Sequence, residues 1–488
     1  MDNVLPPLLE LPVDEPLSQR TYTAITRTGI ASPAFTPSPY ILAEGISILE
    51  TVRDSPVALE RVIEAWYVDY GEDACQGIMV RASYQAVKSH LLPKIRADSS
   101  PSAISQLCDD TFKCTSQPLR WPISPANGAF EQSFSAGGVR WDVVGIYFAL
   151  SGCVIAPMRE GAHSIVLSAE KWGPTRKQAT ERALDTCIQC YSICEQMGQI
   201  NDLTMCLLTI ATMLATWCYG DDSYQAWRLM GDLASVTSAL GLYRTSHASH
   251  DEALLPTYLQ DLRKRAIVGA HELDKGLATF VGRPPRLNRH YMGVGLPMDL
   301  PDSALLGPAE ALALAAAGLD SDGWNTDGQF HSSTRIRAVT VLLAIREEAL
   351  ELSLGSQVDD TVLRSRLVRP SSCKLHSHDL LLTLVCRELL ARSATTWASF
   401  PAFVKYEPSS WATMPPKTIM MLLSLRLEAL YTDFILHKLI VNHDHSDRST
   451  LIETSHLILS LVLSSLSQRI VLDRYRINLE WSVRTQSC

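Results

Sequence analysis

The chain has 488 residues, 46% of them hydrophobic, and carries 43 Lys and Arg against 52 Asp and Glu for a formal net charge of −9. That balance is poor for gripping a phosphate backbone unaided, because such contacts depend on Lys and Arg; it suits a chain whose partners are proteins or small molecules. Residues 1–20 hold prolines and acidic residues where a secretory signal needs a basic start and an apolar run, so the 12 cysteines are expected as reduced thiols rather than a disulfide framework.

In chain order, residues 1–40 are rich in Pro, Ser and Thr without apolar periodicity and read as a disordered or linker N-terminus. Residues 41–488 read as one helical domain. Residues 41–92 suggest two or three short helices, with Tyr67 and Tyr84 in their core, and residues 93–135 return to loop composition with short helical turns. Residues 140–155 are apolar on nearly every side, the pattern of a helix buried within a bundle. Thr175 and Gln178 have the spacing of a capping box opening an amphipathic helix, with Ala179, Ala183, Cys187, Cys190 and Cys194 on its apolar stripe. Residues 203–219 reach the lower length limit of a membrane span. Thr209, Thr212 and Thr216 line one of its faces, which favours a core helix and no membrane partner. Residues 224–240 form the next helix, closed by Gly241 with Leu242 packing back.

The central helix carries apolar residues at Leu259, Leu262, Ala266, Ala270, Leu273, Leu277 and Val281, steps of three and four that share a face. Gly282 can close it in the left-handed conformation, and Pro284 and Pro285 cannot continue it. An extended run punctuated by Gly and Pro follows. Beyond it come an Ala- and Leu-rich helix at 309–317, a flexible acidic loop at 319–329, and helices near 334–354, 378–398, 417–442, 449–467 and 469–482. No strand alternation exceeds four residues and no repeat recurs at a fixed period. The expected fold is all-α, an irregular multi-helix bundle.

Enzyme and metal signatures fail on inspection. Cys187 and Cys190 form a C-x2-C pair, but inside the amphipathic helix, where small apolar residues are the plainer reading. The pairs His247/His250, His376/His378 and His443/His445 read as solvated loop residues rather than zinc ligands. His271-Glu272 begins an H-E-x-x-H pattern that Lys275 breaks, and Asp221-Asp222 does not extend to D-D-x-x-D. Gly293-Val294-Gly295 lacks the third glycine of a dinucleotide loop. The basic run Arg263-Lys264-Arg265 reads as the solvated start of a helix. Asp274, close to the apolar stripe, has two readings: a partly buried pair with Arg283 or Arg286 folding back, or a solvated charge at the stripe's edge.

The order of features across 262–302 is more specific than any of these. A basic start leads into an apolar helix with Leu-Asp-Lys, then Gly282-Arg283-Pro284-Pro285, then LPMDLPD at 296–302. This order resembles the middle homology region of fungal zinc-cluster transcription factors. FSAGGVRWDVVGIYFALSG at 134–152 resembles that family's Arg-Trp-Glu helix, with Asp142 for Glu. GDLASVTSALGLYR at 231–244 resembles its Leu-Gly-Leu helix end, and LRLEALYTDFILHKLI at 425–440 a late helix. The most family-like part is 134–303. The resemblance implies an all-helical regulatory domain and no catalytic residue. It further implies a nuclear regulator of RNA polymerase II genes, pathway-specific for a metabolic or secondary-metabolite cluster. The alternatives are a helical scaffold or co-regulator without its own DNA grip and, less favoured, an all-helical enzyme. Asp274, Gly282, Arg283, Pro284 and Pro285 would be structural residues. The family's zinc cluster needs six closely spaced cysteines, yet no cysteine precedes Cys75. Zinc is therefore expected only in a cluster missing from this sequence. DNA would be reached through that cluster or a partner, with a homodimer or zinc-cluster heterodimer and a small-molecule effector as the implied partners. The segment NLEWSV at 478–483 resembles the start of a longer family segment, which points to a clipped gene model or a natural regulator lacking these parts.

Overall fold

The first helices begin where short polar side chains meet proline. Ser38 and Ser100 each accept the amide three residues on, with Pro39 and Pro101 in the first turn, where a missing N–H costs nothing. The computed structural model describes residues 21–23, 35–55, 57–70, 77–135, 137–158, 160, 162–242, 255–289, 295–355, 359–367, 378–412, 414–444 and 448–467. Strand β1 (Thr21–Thr23) pairs antiparallel with β2 (Arg120–Pro122), Tyr22 opposite Trp121. The rest of the secondary structure is helical apart from an isolated bridge, so the fold is all-α.

The N-terminal helices are α1 (Pro39–Arg53), α2 (Val57–Tyr70), α3 (Gly77–Ala86), a π turn at Val87–Leu91, α4 (Leu92–Ala97) and α5 (Pro101–Ser116). Helix α5 corrects the expectation of loop with short turns at 93–135. Its apolar spacing is carried by Ile104, Cys108, Phe112 and Thr115. Thr111 and Thr115 donate to carbonyls four residues back, which lets hydroxyls pass as core residues.

After α6 (Ala129–Gln132) comes α7 (Trp141–Ile155), all fifteen residues of which are buried. The short α8 (His163–Val166) and α9 (Ala169–Trp172) lead to α10 (Arg176–Gln196), α11 (Asp202–Tyr219) and α12 (Tyr224–Ala239). Thr175 and Gln178 form the capping box at the start of α10. Helices α10 and α11 press onto α7 at its two glycines. A Cβ at Gly145 would lie 2.9 Å from Cys190 Cβ and Leu207, and one at Gly152 2.3 Å from Leu214. The alanine and cysteine stripe of α10 meets this close approach with small side chains. Helix α11 is the one described helix long and apolar enough to cross a membrane; 67% of its apolar window is buried within the protein.

Helix α13 (Thr257–Val281) is followed by an extended strap, α14 (Asp302–Leu305) and α15 (Ala309–Ala317). The C-terminal half adds α16 (Ser332–Leu354), α17 (Asp360–Arg366), α18 (His378–Ser399), α19 (Pro416–Asp444) and α20 (Arg448–Ser467). Helix α13 is shared by several cores. Leu259, Leu262, Ala270, Leu273 and Leu277 join the large N-terminal cluster around α7. Ala278 joins the cluster of α16, α18 and α19, and Val268 the cluster around Trp324 and Phe400. The loop at 319–329, expected to be flexible, is closed instead by a bridge between Leu319 and Asn325. Asp320 Oδ1 accepts the amides of Asp322 and Trp324 there, both at 2.9 Å. The expected helix at 469–482 and the NLEWSV segment lie outside the described residues.

Candidate functional site

The family-like stretch folds as a helix, a stop and a strap tied back by carboxylates. Gly282 ends α13 at φ 64°, ψ 34°, in the left-handed region. Its amide and that of Arg283 both reach the carbonyl of Ala278, the latter at 3.2 Å, which satisfies an otherwise orphaned helix-end acceptor. A Cβ at Gly282 would meet nothing within 4 Å, so glycine is required for its conformation and not for space. Pro284 and Pro285 then carry no amide hydrogen.

The first free amides after the prolines belong to Arg286 and Leu287, and both end on Asp274. Arg286 N donates to Oδ1 at 2.8 Å and Leu287 N to Oδ2 at 2.9 Å. Asp274 is fully buried, so the solvated reading fails. The expected Asp–Arg side-chain pair is also corrected: among the described residues neither guanidinium bonds Asp274. Arg286 and Arg283 lie instead over the Trp227 ring of α12, 4.6 and 5.4 Å from its centroid, an arrangement worth about 0.5–1 kcal/mol at a surface. A Cβ at Gly231 would lie 2.8 Å from Arg286 Nη1. The positive partner of Asp274 is its neighbour Lys275, whose Nζ lies 3.0 Å from Oδ2.

Lys275 is itself fully buried. Its ammonium also donates to the Leu287 carbonyl and sits 3.3 Å from Glu347 Oε2 of α16. Glu347 Oε1 takes the amide of Arg289 at 2.8 Å. Asp274, Lys275 and Glu347 thus clamp the strap backbone at 286–289 between α13 and α16. Three charges out of water are tolerable because they pair and their remaining capacity is hydrogen-bonded.

The LPMDLPD end is held by the same means. Asp299, fully buried, accepts from Asn325 Nδ2 at 2.7 Å, Asn325 N at 3.1 Å and Ser333 Oγ at 3.2 Å, and also from Thr334 Oγ1. Ser333 and Thr334 lie in the first turn of α16, where a negative charge is favoured by the free amides and the helix dipole. Asp261 accepts Met298 N at 2.8 Å and Arg265 Nε at 2.7 Å, and Arg265 also reaches Asp302. Arg265 is buried, and Arg263 grips Asp202 of α11 with two bonds of 2.8 and 3.0 Å. The basic run is therefore not a solvated helix start. Its two arginines are held by carboxylates contributed by α11, α13 and α14.

The matching geometry recurs at the other family-like segments. Arg140 Nε meets both oxygens of Asp142, at 3.2 and 3.1 Å, and its Nη1 donates to the Gln117 carbonyl at 2.6 Å. Asn201 Nδ2 donates to Asp142 at 3.1 Å while Asn201 Oδ1 caps α11. In the late segment, Glu428 of α19 receives Arg346 of α16 at 2.7 Å. Gly241 is left-handed at φ 70° and Leu242 is buried; Tyr243 and Arg244 lie outside the described residues.

Residues 170–305, from α9 through the strap to α14, match the family model described as Fungal specific transcription factor domain. Over that span the chain is similar to a fungal specific transcription factor domain. No curated protein and no solved structure matches the chain. The Arg140-Trp141-Asp142 segment precedes the matched span and the 425–440 segment follows it, but both are tied to it or to its neighbours by the bonds above. The matched description is that of a transcription factor domain.

The carboxylates that hold the strap are each engaged by protein donors, so their chemistry is to bind the chain to itself. Cys187, Cys190 and Cys194 are buried on α10, and burial pushes the thiols of Cys190 and Cys194 well above the usual range, the opposite of a reactive thiolate. Burial lowers His271 to about 3, with Lys275 adding to the effect, so it is neutral at physiological pH. His378 pairs with Asp360 and His443 with Asp379, each at 2.7 Å; His247, His250, His376, His445 and Gly293 lie outside the described residues. No group of three or more His, Cys, Asp or Glu that could hold a metal occurs among the described residues. Sequence reasoning missed Lys275, Glu347, Asp299 and Asp302 as partners. The two aspartates of LPMDLPD were the available signal; nothing in the local pattern marks Lys275 or Glu347.

Proposed function

We propose that this chain regulates transcription by RNA polymerase II in the nucleus, acting on a small set of genes such as one metabolic or secondary-metabolite cluster. The observation that carries this reading is the transcription factor domain at 170–305. The helical domain docks protein partners, as a homodimer or with a zinc-cluster protein. DNA is contacted by a zinc cluster outside this sequence or by the partner. A small-molecule effector shifts the balance of states of the helical domain. The formal charge of −9 favours the related reading of a co-regulator that does not grip DNA itself.

Transcript profiling of a deletion strain, with complementation, tests the proposal. A restricted set of transcripts should fall, or rise, and recover on complementation. An unchanged transcript profile with one blocked metabolic conversion would replace it with an enzyme. Affinity purification from the native strain separates the two regulatory readings: the co-regulator should bring down a zinc-cluster protein.

A further inference from the structure

Helix α20 has two apolar sides, and the protein covers one of them. Val462 is buried with Met420, Leu423 and Leu427 of α19, and Ile458 and Leu461 pack beside it. Elsewhere on the helix Ile452, Leu459 and Leu463 stand 64%, 55% and 55% exposed, and His456 between them is exposed too. With 3.6 residues to a turn, these four positions fall within about 60° of one another. A contiguous apolar stripe, unlike scattered apolar residues, marks a surface that meets another.

The stripe advances by four, three and four residues, the steps of a coiled-coil seam. That order reads the same from either end. A second α20 running the opposite way therefore matches it throughout: Ile452 meets Leu463 of the second copy and His456 meets Leu459, with the reverse pairs supplied by a two-fold axis between positions 457 and 458. Charge selects the same arrangement. Apart from His456, the ionisable residues of α20 are Arg448 and Glu453. In a parallel pair each would lie opposite its own copy, and His456 opposite His456. In the antiparallel pair the two Glu453 are separated by about 14 Å along the axis, beyond the ~8 Å Debye length of physiological salt, and the two Arg448 by more. Ser455 and Ser464, flanking the seam, donate their hydroxyls to the carbonyls of Leu451 and Leu461 at 2.7 and 2.9 Å, so covering them strands no donor.

We propose that two copies of this chain pair through α20, antiparallel, with Ile452, His456, Leu459 and Leu463 as the seam. The helix has 20 residues, a length of about 30 Å. Two such helices side by side bury on the order of 1,000 Å², the lower edge of specific interfaces, which suits a reversible homodimer. The pairing gives the homodimer of the proposed function a surface and an orientation, and rests on that reading for its regulatory meaning.

Sedimentation of the purified full chain over a range of concentrations tests it. A monomer–dimer equilibrium with a Kd of about 1–100 μM is expected. Leu459→Glu with Leu463→Glu should weaken the dimer at least ~100-fold, because it sets charges in an apolar seam. Its helical spectrum and melting midpoint should stay those of the parent, since both side chains are exposed in the single chain. Ile452→Ser with Leu459→Ser provides a milder second variant. For the direction, Ile452→Cys and Leu463→Cys proteins are mixed and oxidised beside the parent, which controls for the native thiols; the two should join to each other. A monomer at every concentration, a dimer indifferent to both seam variants, or Ile452→Cys joining to itself would overturn the proposal. Capture from the native strain of a different protein that needs Leu459 and Leu463, with no second copy, would overturn it as well. Because sedimentation uses no transcripts, its failure leaves the regulatory reading standing, and an unchanged transcript profile leaves the pair standing.

Discussion

Replacing Asp274 by alanine removes the acceptor of two backbone amides, that of Leu287 buried and that of Arg286 partly so, and one of the two carboxylates that face Lys275. An amide left without a partner costs about 1–3 kcal/mol, and stripping one partner from a buried pair about 3–5 kcal/mol. These contributions overlap, and Glu347 remains 3.3 Å from the ammonium. The expected loss is therefore ~3–5 kcal/mol, a large share of the ~5–15 kcal/mol by which domains are stable. Asp274→Asn keeps one acceptor oxygen and should lose less, while setting an amide group against the second N–H. Asp274→Ala combined with Lys275→Met should be less destabilising than the sum of the single changes, because it removes the stranded cation as well. Urea unfolding of the parent, the single variants Asp274→Ala, Asp274→Asn and Lys275→Met, and the double variant, followed by circular dichroism, measures these differences. A single Asp274→Ala variant within about 0.5 kcal/mol of the parent, the scatter of ordinary surface substitutions, would refute the clamp. So would strict additivity in the double variant.

Three further outcomes are expected. Gly282→Val should cost ~1–2 kcal/mol or more, because a β-branched residue is strained at φ 64°; Gly282→Asn should cost less, since no neighbour obstructs a side chain there, and equal melting of both variants with the parent would contradict this. His271 is held neutral down to about 3, whereas its unfolded value lies near ~6.5, so between these values the unfolded chain binds the extra proton and stability falls as pH falls. His271→Leu should therefore flatten the stability profile between pH ~7 and ~5, by about 1–2 kcal/mol at the acid end, and unfolding curves at several pH values check it. Gly152→Val places side-chain atoms where Leu214 already lies within 2.3 Å of a Cβ, and should force α11 off α7 at a cost of ~1–3 kcal/mol, visible as a lower melting midpoint with the helical spectrum largely kept.

The strap between α13 and α14 is where the family-like residues concentrate, and its ties run to both halves of the protein: Asp274 and Asp261 on α13, Glu347 and the first turn of α16. These ties make the strap a junction between the two halves.

Much of this architecture was legible in the chain itself. The start of α10 follows from the capping box of Thr175 and Gln178, and the end of α13 from Gly282 and the prolines, whereas the cap of α5 at Ser100 lies in a stretch whose composition reads as loop. These are local matters of backbone geometry and nearby hydrogen bonds, and a short stretch of sequence contains all the participants. The apolar stripes of α10 and α13 were readable for a similar reason, since periodicity is a property of one helix. What the charged faces met was decided only in three dimensions. Arg263, Arg265, Asp274 and Lys275 sit where a lone helix pattern reads water, and each is instead matched by a group from another element or the strap: Asp202, Asp302, the amides at 286–287 and Glu347. A helical wheel separates apolar from polar positions, but it cannot tell solvent from a second surface that carries the opposite charge. That distinction rests on pairings 12 to 72 residues apart in the chain, which only the packing of α11, α13, α16 and the strap brings together.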